Sequence, residues 1–192
     1  MRIAELLSHY ELTGTFYISR AFAHEGLSSG EIRELSLRHE IGGHTTTHPN
    51  LTKISEAEAR REIAENKQFL EETVGKKISM FCYPYGFYND AVKKIVRESG
   101  FVGARTTRAF SRTPLADPYE LHTTVHAYPF PLRKKDSSSI LWRHALEPFA
   151  RNIRYIHAFG IPVGALRSFK SLAIAAFEKA LAKNTPFHLW GH

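Results

Sequence analysis

Apolar and polar positions along the chain follow a period that switches between that of a helix and that of a strand. The pattern predicts six helices, and five of them cover residues 3–9, 31–38, 89–100, 139–159 and 169–183. Runs of strand length, rich in β-branched and aromatic residues, predict six strands, over residues 14–19, 39–43, 78–83, 101–107, 121–126 and 187–190. Strands that alternate with helices indicate parallel pairing through right-handed crossovers. The chain is therefore expected to form an α/β barrel or an open, doubly wound sheet.

The clearest helix lies between these blocks and begins at Ser55. Glu58 follows three residues later, which is the capping-box pattern, and Gly75 is the expected C-terminal stop. Its apolar positions share one face of the helix: Ala59, Ile63, Leu70 and Val74. This arrangement predicts a long helix that packs onto a core through that face.

Polar residues follow directly after three of the predicted strands. They are His44, the turn Pro84-Tyr85-Gly86, and the pair Gly191-His192. Parallel α/β folds place their active sites at the carboxyl ends of the strands. We therefore expect these three polar positions to converge on one face of the sheet.

Composition is that of an ordinary globular protein and excludes disordered, collagen-like and fibrous classes. The 192 residues are 43% hydrophobic and 12% aromatic, and no apolar run approaches the roughly 18 residues of a membrane span. Lys and Arg number 26 against 19 Asp and Glu, a formal charge of +7. The densest basic cluster is Arg133-Lys134-Lys135, and elsewhere basic residues alternate with acidic ones. This favours a solvated surface over a nucleic-acid interface, which would require steeply salt-dependent oligonucleotide binding.

The single cysteine, Cys82, excludes an intrachain disulfide framework and a cysteine-based zinc ribbon. A chain with one cysteine suits a reducing compartment. Residues 1–7 are typical of an amphipathic helix and not of a secretory signal. We therefore expect a cytoplasmic location.

His44 and His48 are four residues apart, and on a helical turn this spacing points both imidazoles to the same side, where they can share one cation. A protease of the zincin class is excluded because Thr45 stands where that class has its glutamate. The alternative is that two loop histidines bond neighbouring hydroxyl and carbonyl groups. The position after a glycine bend, at the end of a strand, favours a metal site.

Other candidates each have an ordinary structural alternative. The turn Pro84-Tyr85-Gly86 could simply lead a strand out of the core, or it could point a backbone N–H into a site and stabilise an oxyanion. His122 and His126 would be about 13 Å apart on an extended strand, too far to share a metal. His126 or His122 could line a substrate groove, or both could lie on a surface strand. Trp190 could pack against a bound ligand or lie in the core.

Three stretches, in order, resemble the polysaccharide deacetylase family, also called the NodB-homology or carbohydrate esterase family 4 (CE4) domain. They are residues 14–18, 39–51 and 83–89, and residues 44–49 meet the pattern H-[ST]-x-x-H-[PS] at every position. The resemblance is close to about residue 107 and looser beyond. It implies one catalytic domain over residues 1–192, a distorted (β/α) barrel, and removal of N-acetyl or similar acyl groups from amino sugars or glycans. It also implies a divalent metal ion, with zinc as the first choice, and no organic cofactor.

The resemblance further implies roles by motif position. His44 and His48 would bind the metal, and the backbone N–H of Tyr85 would hold the oxyanion. His192 would protonate the leaving amine, with His188 as the alternative. Contact with the carbohydrate is expected at three further residues: Pro84, His126 and Trp190.

Two departures from the family pattern concern the catalytic groups. The first motif of the family, T-F-D-D-G, supplies a catalytic base and a third metal ligand, and it should precede the first helix, where the sequence has Met1 and Arg2. Asp117 and Asp136 lie in loops and do not replace it. The arginine that usually opens the third motif is Cys82 here.

These departures lead to three expectations. The reading frame is expected to be shortened at its N-terminus, with a further piece missing after the last strand, so that the barrel is incomplete at its first strand. An unpaired sheet edge would then allow a homo-oligomer by edge pairing. The alternative function is a catalytically impaired carbohydrate-binding remnant of the same fold.

Overall fold

A computed structural model describes residues 2–21, 27–109, 117–127, 153 and 159–191. Most of the helix predicted over 139–159, the basic cluster at 133–135 and Asp136 lie outside the described residues. Contacts between Cα atoms divide the chain into two compact units. The first comprises Met1–Thr106 and Asp117–Leu121, and the second Thr107–Ala116 and His122–His192. A single domain over residues 1–192 stays a prediction.

Helices and strands alternate through most of the described chain. The strands are β1 (Thr15–Ile18), β2 (Glu40–Gly43), β3 (Met80–Cys82), β4 (Gly103–Ala109), β5 (Leu121–Thr123), β6 (Val125–His126) and β7 (Leu189–Trp190). The helices are α1 (Arg2–His9), α2 (Ser29–Leu35), α3 (Glu56–Val74), α4 (Asp90–Glu98) and α5 (Phe169–Ala182). Short 3₁₀ turns occupy Pro84–Gly86, Pro118–Glu120 and Val163–Arg167. Among these described helices, none is both long and apolar enough to cross a membrane.

Strands β1 to β5 form one sheet in sequence order, and the sheet made by the described strands is open, with β1 at its edge. The pairs β1–β2, β2–β3 and β3–β4 are all parallel. Parallel neighbours need a crossover connection, and α2, α3 and α4 supply them. The predicted α/β fold with a parallel sheet is confirmed. Edge pairing between subunits would require a strand at the edge of the sheet, and β1 has that position. The homo-oligomer stays a prediction.

The core of the first unit is built around Phe81, in the short central strand β3. Its ring lies 5.5 Å from that of Tyr83 and 5.2 Å from that of Phe101, and all three side chains are buried. Helix α3 adds Ile63 and Leu70 from its apolar face, both fully buried. Each such side chain stabilises the fold by about 1.5–3 kcal/mol, so this core fixes the strand ends that carry the candidate site.

The helix ends show which local signals decide the boundaries. At the start of α3, the Ser55 hydroxyl accepts a hydrogen bond from the Glu58 N–H and the Glu58 carboxylate accepts one from the Ser55 N–H, as predicted. Helix α2 begins two residues earlier than predicted because Ser28 and Glu31 form a second capping box. Both helices therefore begin where a serine and a glutamate three residues apart satisfy backbone N–H groups.

The strand predicted over residues 121–126 is wrong as a single element, because it breaks at Thr124. Residues 121–123 form β5, whereas β6 pairs in parallel with β7 in a separate two-stranded sheet. The Thr124 N–H donates to the carbonyl oxygen of His188, and the Thr124 hydroxyl accepts from the His188 N–H at 2.9 Å. In the second unit, Val125 packs against the buried side of α5 through Leu172 and Ala176.

Candidate metal centre and active site

The loop from β2 to α3 carries the two histidines of the predicted metal pair. Residues 44–50 of this loop are not helical, so the assumption of a helical turn is wrong. Thr45 has φ = 67° and His48 has φ = 59°, both in the left-handed region. These two backbone reversals, and not a helical turn, bring the two imidazoles to the same side.

The imidazole nitrogens of this pair face each other. His44 Nε2 lies 3.0 Å from His48 Nε2, and the ring centroids are 4.6 Å apart. Two imidazole ligands of a tetrahedral zinc ion, with bonds of about 2.0–2.1 Å, would have their nitrogens about 3.3 Å apart. The Nδ1–H of His44 donates to the backbone oxygen of Cys82 at 2.7 Å. Because Nδ1 carries the proton of the neutral ring, Nε2 presents its lone pair towards His48.

The two imidazoles are suitable ligands for a transition-metal ion. Imidazole suits zinc, and a histidine whose other ring nitrogen donates to a backbone carbonyl is oriented as metal-binding histidines usually are. Within the described ranges, no third His, Cys, Asp or Glu joins the pair. Catalytic zinc sites ordinarily have three protein ligands, and the described residues offer two candidates for these positions.

Helix α3 holds the loop through the carboxylate of Glu62. Its Oε2 accepts hydrogen bonds from the N–H groups of Thr46, at 2.9 Å, and Thr47, at 2.8 Å. Its Oε1 accepts a third from the Thr47 hydroxyl, also at 2.8 Å. The residues between the two histidines are therefore fastened to one side chain of the following helix.

A second side chain of α3, that of Asn66, is fully buried beneath the start of the loop. Its Oδ1 accepts from the His44 N–H at 2.9 Å, and its Nδ2 donates to the Ile18 oxygen at 3.1 Å. The hydroxyl of Thr45, also fully buried, accepts from the His48 N–H at 3.0 Å. Through these bonds, both histidine backbones are held.

The sequence analysis singles out neither Glu62 nor Asn66, and it includes Thr45 only as one position of the pattern H-[ST]-x-x-H-[PS]. Asn66 interrupts the buried stripe of α3 between Ile63 and Leu70, and a polar residue on an apolar stripe is the signal that could have found it. Glu62 carries no such signal, because its role depends on contacts between the helix and the loop, and the bond from the His48 N–H to the Thr45 hydroxyl follows from the loop conformation.

The 3₁₀ turn at Pro84–Gly86 lies against the histidine pair. The Tyr85 ring is 4.6 Å from the ring of His48 and is 60% exposed, and its backbone is left-handed, with φ = 57°. The N–H groups of Gly86 and Phe87 bond to preceding carbonyl oxygens of the turn, whereas the Tyr85 N–H finds no acceptor in the part of the chain that is described. Pro84 is buried at the start of the turn. The structure thus brings His44, His48 and Tyr85 together.

Cys82 stands where the family usually has an arginine, and a guanidinium reaches the same region from the next strand. Arg105 on β4 is the register partner of Cys82, and its side chain hydrogen-bonds that of Tyr17. Burial raises the pKa of the Cys82 thiol to about 12 and raises the pKa of Tyr17 well above its usual range. The positive charge of Arg105 offsets part of both shifts.

The remaining candidates lie in the second unit or outside the described residues. His126 and Trp190 are register partners on β6 and β7, and their rings are stacked, with centroids 3.9 Å apart. The side chain of His188 hydrogen-bonds the backbone oxygen of His122 at 3.3 Å. His192 lies outside the described residues. The roles given to these residues stay predictions.

Asp117, considered above as a substitute base, is engaged elsewhere in the first unit. Its carboxylate lies 3.2 Å from the ammonium group of Lys93 and accepts from the Tyr119 N–H at 2.8 Å. These bonds hold the pKa of Asp117 below its usual value, although partial burial works in the opposite direction. The carboxylate therefore serves to fasten residues 117–121 to α4.

Known proteins resemble this chain in sequence. The family model described as polysaccharide deacetylase matches residues 1–104. A peptidoglycan-N-acetylglucosamine deacetylase of Bacillus cereus is 31% identical over 102 residues, which are 52% of this chain and 46% of that protein. The chain thus spans less than half the length of this relative.

Solved structures resemble the chain in fold. The Streptococcus pyogenes deacetylase PplD, in complex with acetate, superimposes with a TM-score of 0.60 at 20% identity, over 64% of this chain and 56% of that one. A CE4-family pseudoenzyme from Bacillus anthracis gives a TM-score of 0.51 at 24% identity, over 57% of this chain and 38% of that one. These likenesses confirm the (β/α)-type fold of the family. The family model matches residues 1–104, which are more than half of this chain, and the chain therefore belongs to the polysaccharide deacetylase family.

Proposed function

We propose that this protein is a metal-dependent hydrolase that removes N-acetyl or similar acyl groups from amino sugars or glycans. The convergence of His44 Nε2 and His48 Nε2, 3.0 Å apart beside the turn that carries Tyr85, is the observation that carries the proposal. Membership of the family supports the reaction class. The names of two similar proteins, deacetylases of N-acetylglucosamine and N-acetylmuramic acid in peptidoglycan, support a glycan substrate.

In this proposal His44 and His48 hold a divalent ion, with zinc as the first choice because both ligands are imidazoles. Such an ion supplies a Lewis acid for the acyl carbonyl and lowers the pKa of a bound water. The Tyr85 N–H donates to the carbonyl oxygen as negative charge develops on it. The turn holds this N–H in place before the substrate arrives, which is what gives such donors their effect.

The remaining roles rest on the family resemblance. His192 would protonate the leaving amine, and Pro84, His126 and Trp190 would contact the carbohydrate. An indole ring has the flat apolar surface that packs against a sugar ring, and its stacking on His126 holds it in one orientation.

A carbohydrate-binding remnant with impaired catalysis is the second candidate. It is supported by the count of two protein ligands, where three are usual, among the residues that the structure describes. Loss of a general base would reduce the rate by about 10²–10⁴-fold, while the surface that binds sugar could persist.

The first test is the zinc content of the purified protein, compared with the double variant His44→Ala, His48→Ala. His9→Ala, at an exposed position on α1, is the matched control. We expect about one zinc per chain in the wild type and in the control, and none in the double variant. A zinc content that the double variant retains would contradict the metal assignment.

The second test separates the two candidate functions. Release of acetate from N-acetylglucosamine oligomers is measured with zinc present, together with binding of the same oligomers. Acetate release that disappears in the double variant supports the hydrolase. Oligomer binding without acetate release supports the remnant, and absence of both activities contradicts a carbohydrate function.

A further inference from the structure

We propose that Glu62 and Asn66 are positioning residues, which hold the backbone between the two histidines in the conformation that brings the imidazoles together. The inference rests on the proposed function in one respect, since a metal ion is what the pair would bind. The placement of the imidazoles themselves can be tested without metal.

The loop needs such support because its backbone is unfavourable by itself. Thr45 and His48 both have positive φ, and Thr45 is β-branched, for which this region is especially unfavourable. Non-glycine residues persist in such conformations only where the surrounding structure dictates them. Hydrogen bonds to α3 are the contacts that do so here.

Asn66 fixes the first histidine. Its amide bridges the His44 N–H and the Ile18 oxygen, so it ties the residue after β2 to the end of β1. Asn66 is fully buried, on the same stripe of α3 as the apolar residues Ile63 and Leu70. A buried amide is tolerated at such a position only when it is hydrogen-bonded, and both of its bonds go to the backbone that leads into the site.

Glu62 fixes the segment between the histidines. Its carboxylate accepts three hydrogen bonds from Thr46 and Thr47, and its backbone oxygen accepts two more from the N–H and hydroxyl of Thr46. Glu62 lies about one helical turn before Asn66, so both side chains lie on the same side of α3. Together they link the position of His48 to that of His44 through the helix.

The first experiment uses the metal-free protein. Asn66→Leu and Glu62→Ala are compared with matched controls from the same helix: Thr73→Val, a buried polar residue farther along the stripe, and Glu65→Ala, an exposed glutamate. We expect loss of the nuclear Overhauser contact between the two imidazole rings in both test variants. Amide exchange should become faster at Thr47 in Glu62→Ala and at His44 in Asn66→Leu, because those N–H groups lose their acceptors. Both controls should retain the wild-type values. Retention of the ring contact in folded test variants would overturn the proposal.

The second experiment measures zinc affinity by competition with a chelating dye. We expect about 10–100-fold weaker binding in Glu62→Ala and Asn66→Leu, the range found when groups that orient metal ligands are removed. Glu62→Gln keeps one acceptor oxygen and should fall between the wild type and Glu62→Ala. A protein that merely lost stability would weaken equally in Thr73→Val, so equal weakening there would overturn the proposal.

The two experiments also keep this proposal apart from the proposed function. If the wild type binds no zinc, the metal assignment fails, while the ring contact and amide exchange still decide whether α3 positions the histidines. If the wild type binds zinc and both test variants bind it equally well, the metal assignment stands and the positioning roles fail. Should Asn66→Leu not fold, Glu62→Ala and Glu62→Gln decide the outcome, because Glu62 is only half-buried.

Discussion

Thr45 has an unfavourable backbone conformation, with positive φ, and its side chain accepts a buried hydrogen bond. The free energy of that hydrogen bond offsets part of the cost of the backbone conformation. A non-glycine residue at positive φ costs on the order of 1–3 kcal/mol. The hydroxyl of Thr45 accepts from the His48 N–H in a site with no solvent exposure. Thr45→Val keeps the shape and removes the acceptor, so we expect the free energy of unfolding to fall by about 1–3 kcal/mol, measured by urea denaturation.

The control for this variant is Thr13→Val, at an exposed position in the same unit. Its effect on the free energy of unfolding should stay within about 0.5 kcal/mol. Thr45→Ser, which keeps the oxygen, should recover most of the loss. Equal losses for Thr45→Val and Thr13→Val would show that the buried hydroxyl does not support the loop.

Tyr83 makes the stability of the first unit depend on pH in the alkaline range. Burial raises the pKa of its hydroxyl far above the ordinary value of 10.0, and that hydroxyl donates to the Tyr119 oxygen. The unfolded chain releases this proton from about pH 10 while the folded protein keeps it. The unfolded state therefore binds fewer protons above pH 10, and the free energy of unfolding decreases as the pH rises.

The expected contribution of Tyr83 is a decrease of about 1.4 kcal/mol between neutral pH and pH 11. Tyr83→Phe should remove this part of the decrease, although the raised pKa of Tyr17 leaves a further part. Urea denaturation of both proteins from pH 7 to pH 11 measures the difference. Parallel curves for the two proteins would contradict the assignment.

Helix α3 is the element on which both the core and the loop depend, and its C-terminal end requires a left-handed residue. Gly75 has φ = 71°, and a Cβ at this position would meet nothing within 4 Å. The cost of Gly75→Ala is therefore backbone strain alone, about 1–2 kcal/mol in the free energy of unfolding. Gly75→Asn should cost less, because asparagine tolerates this conformation.

Gly30, within α2, gives a matched comparison, because the same substitution to alanine should here increase the free energy of unfolding. Its φ is not positive, and a Cβ there meets only the Ser28 hydroxyl at 3.8 Å. Gly30→Ala should raise the free energy of unfolding by about 0.4–1 kcal/mol, because alanine restricts the unfolded chain. Thermal denaturation of both variants checks that Gly75→Ala lowers the stability and that Gly30→Ala raises it. A Gly75→Ala variant more stable than the wild type would contradict the predicted backbone strain at residue 75.

The elements that the sequence predicted well are those set by neighbouring residues. The capping box at Ser55 and the stop at Gly75 are local, and both ends of α3 are where the pattern placed them. The break at Thr124 could not be found in this way, since it depends on hydrogen bonds to His188, 64 residues further along. Likewise, the spacing of His44 and His48 predicted that the rings meet, but the loop conformation that brings them together is set by α3.

At the level of the whole chain, the family match and the candidate site do not cover the same residues. The match ends at residue 104 and includes His44, His48 and Tyr85. His126 and Trp190 lie in the second unit, so their roles rest on the resemblance alone. The family can therefore be recognised from sequence, whereas the hydrogen bonds that hold the ring and the backbone of His44 depend on residues far along the chain, Cys82 and Asn66.

Binding of zinc to the folded protein should stabilise it, because a ligand that binds the native state alone adds to the free energy of unfolding. At a zinc concentration about 100 times the dissociation constant, the gain is about 2.7 kcal/mol. The unfolded chain competes poorly, since the two imidazoles meet only when Thr45 and His48 adopt positive φ. Urea denaturation with and without zinc measures this gain.

Magnesium at the same concentration is the metal control, because it prefers oxygen ligands and should leave the curve of the wild type unchanged. The double variant His44→Ala, His48→Ala should lose the gain from zinc, and His9→Ala should keep it. A gain that survives in the double variant would place the zinc elsewhere on the chain. A gain that is also produced by magnesium would mean that oxygen ligands, and not the two imidazoles, bind the ion.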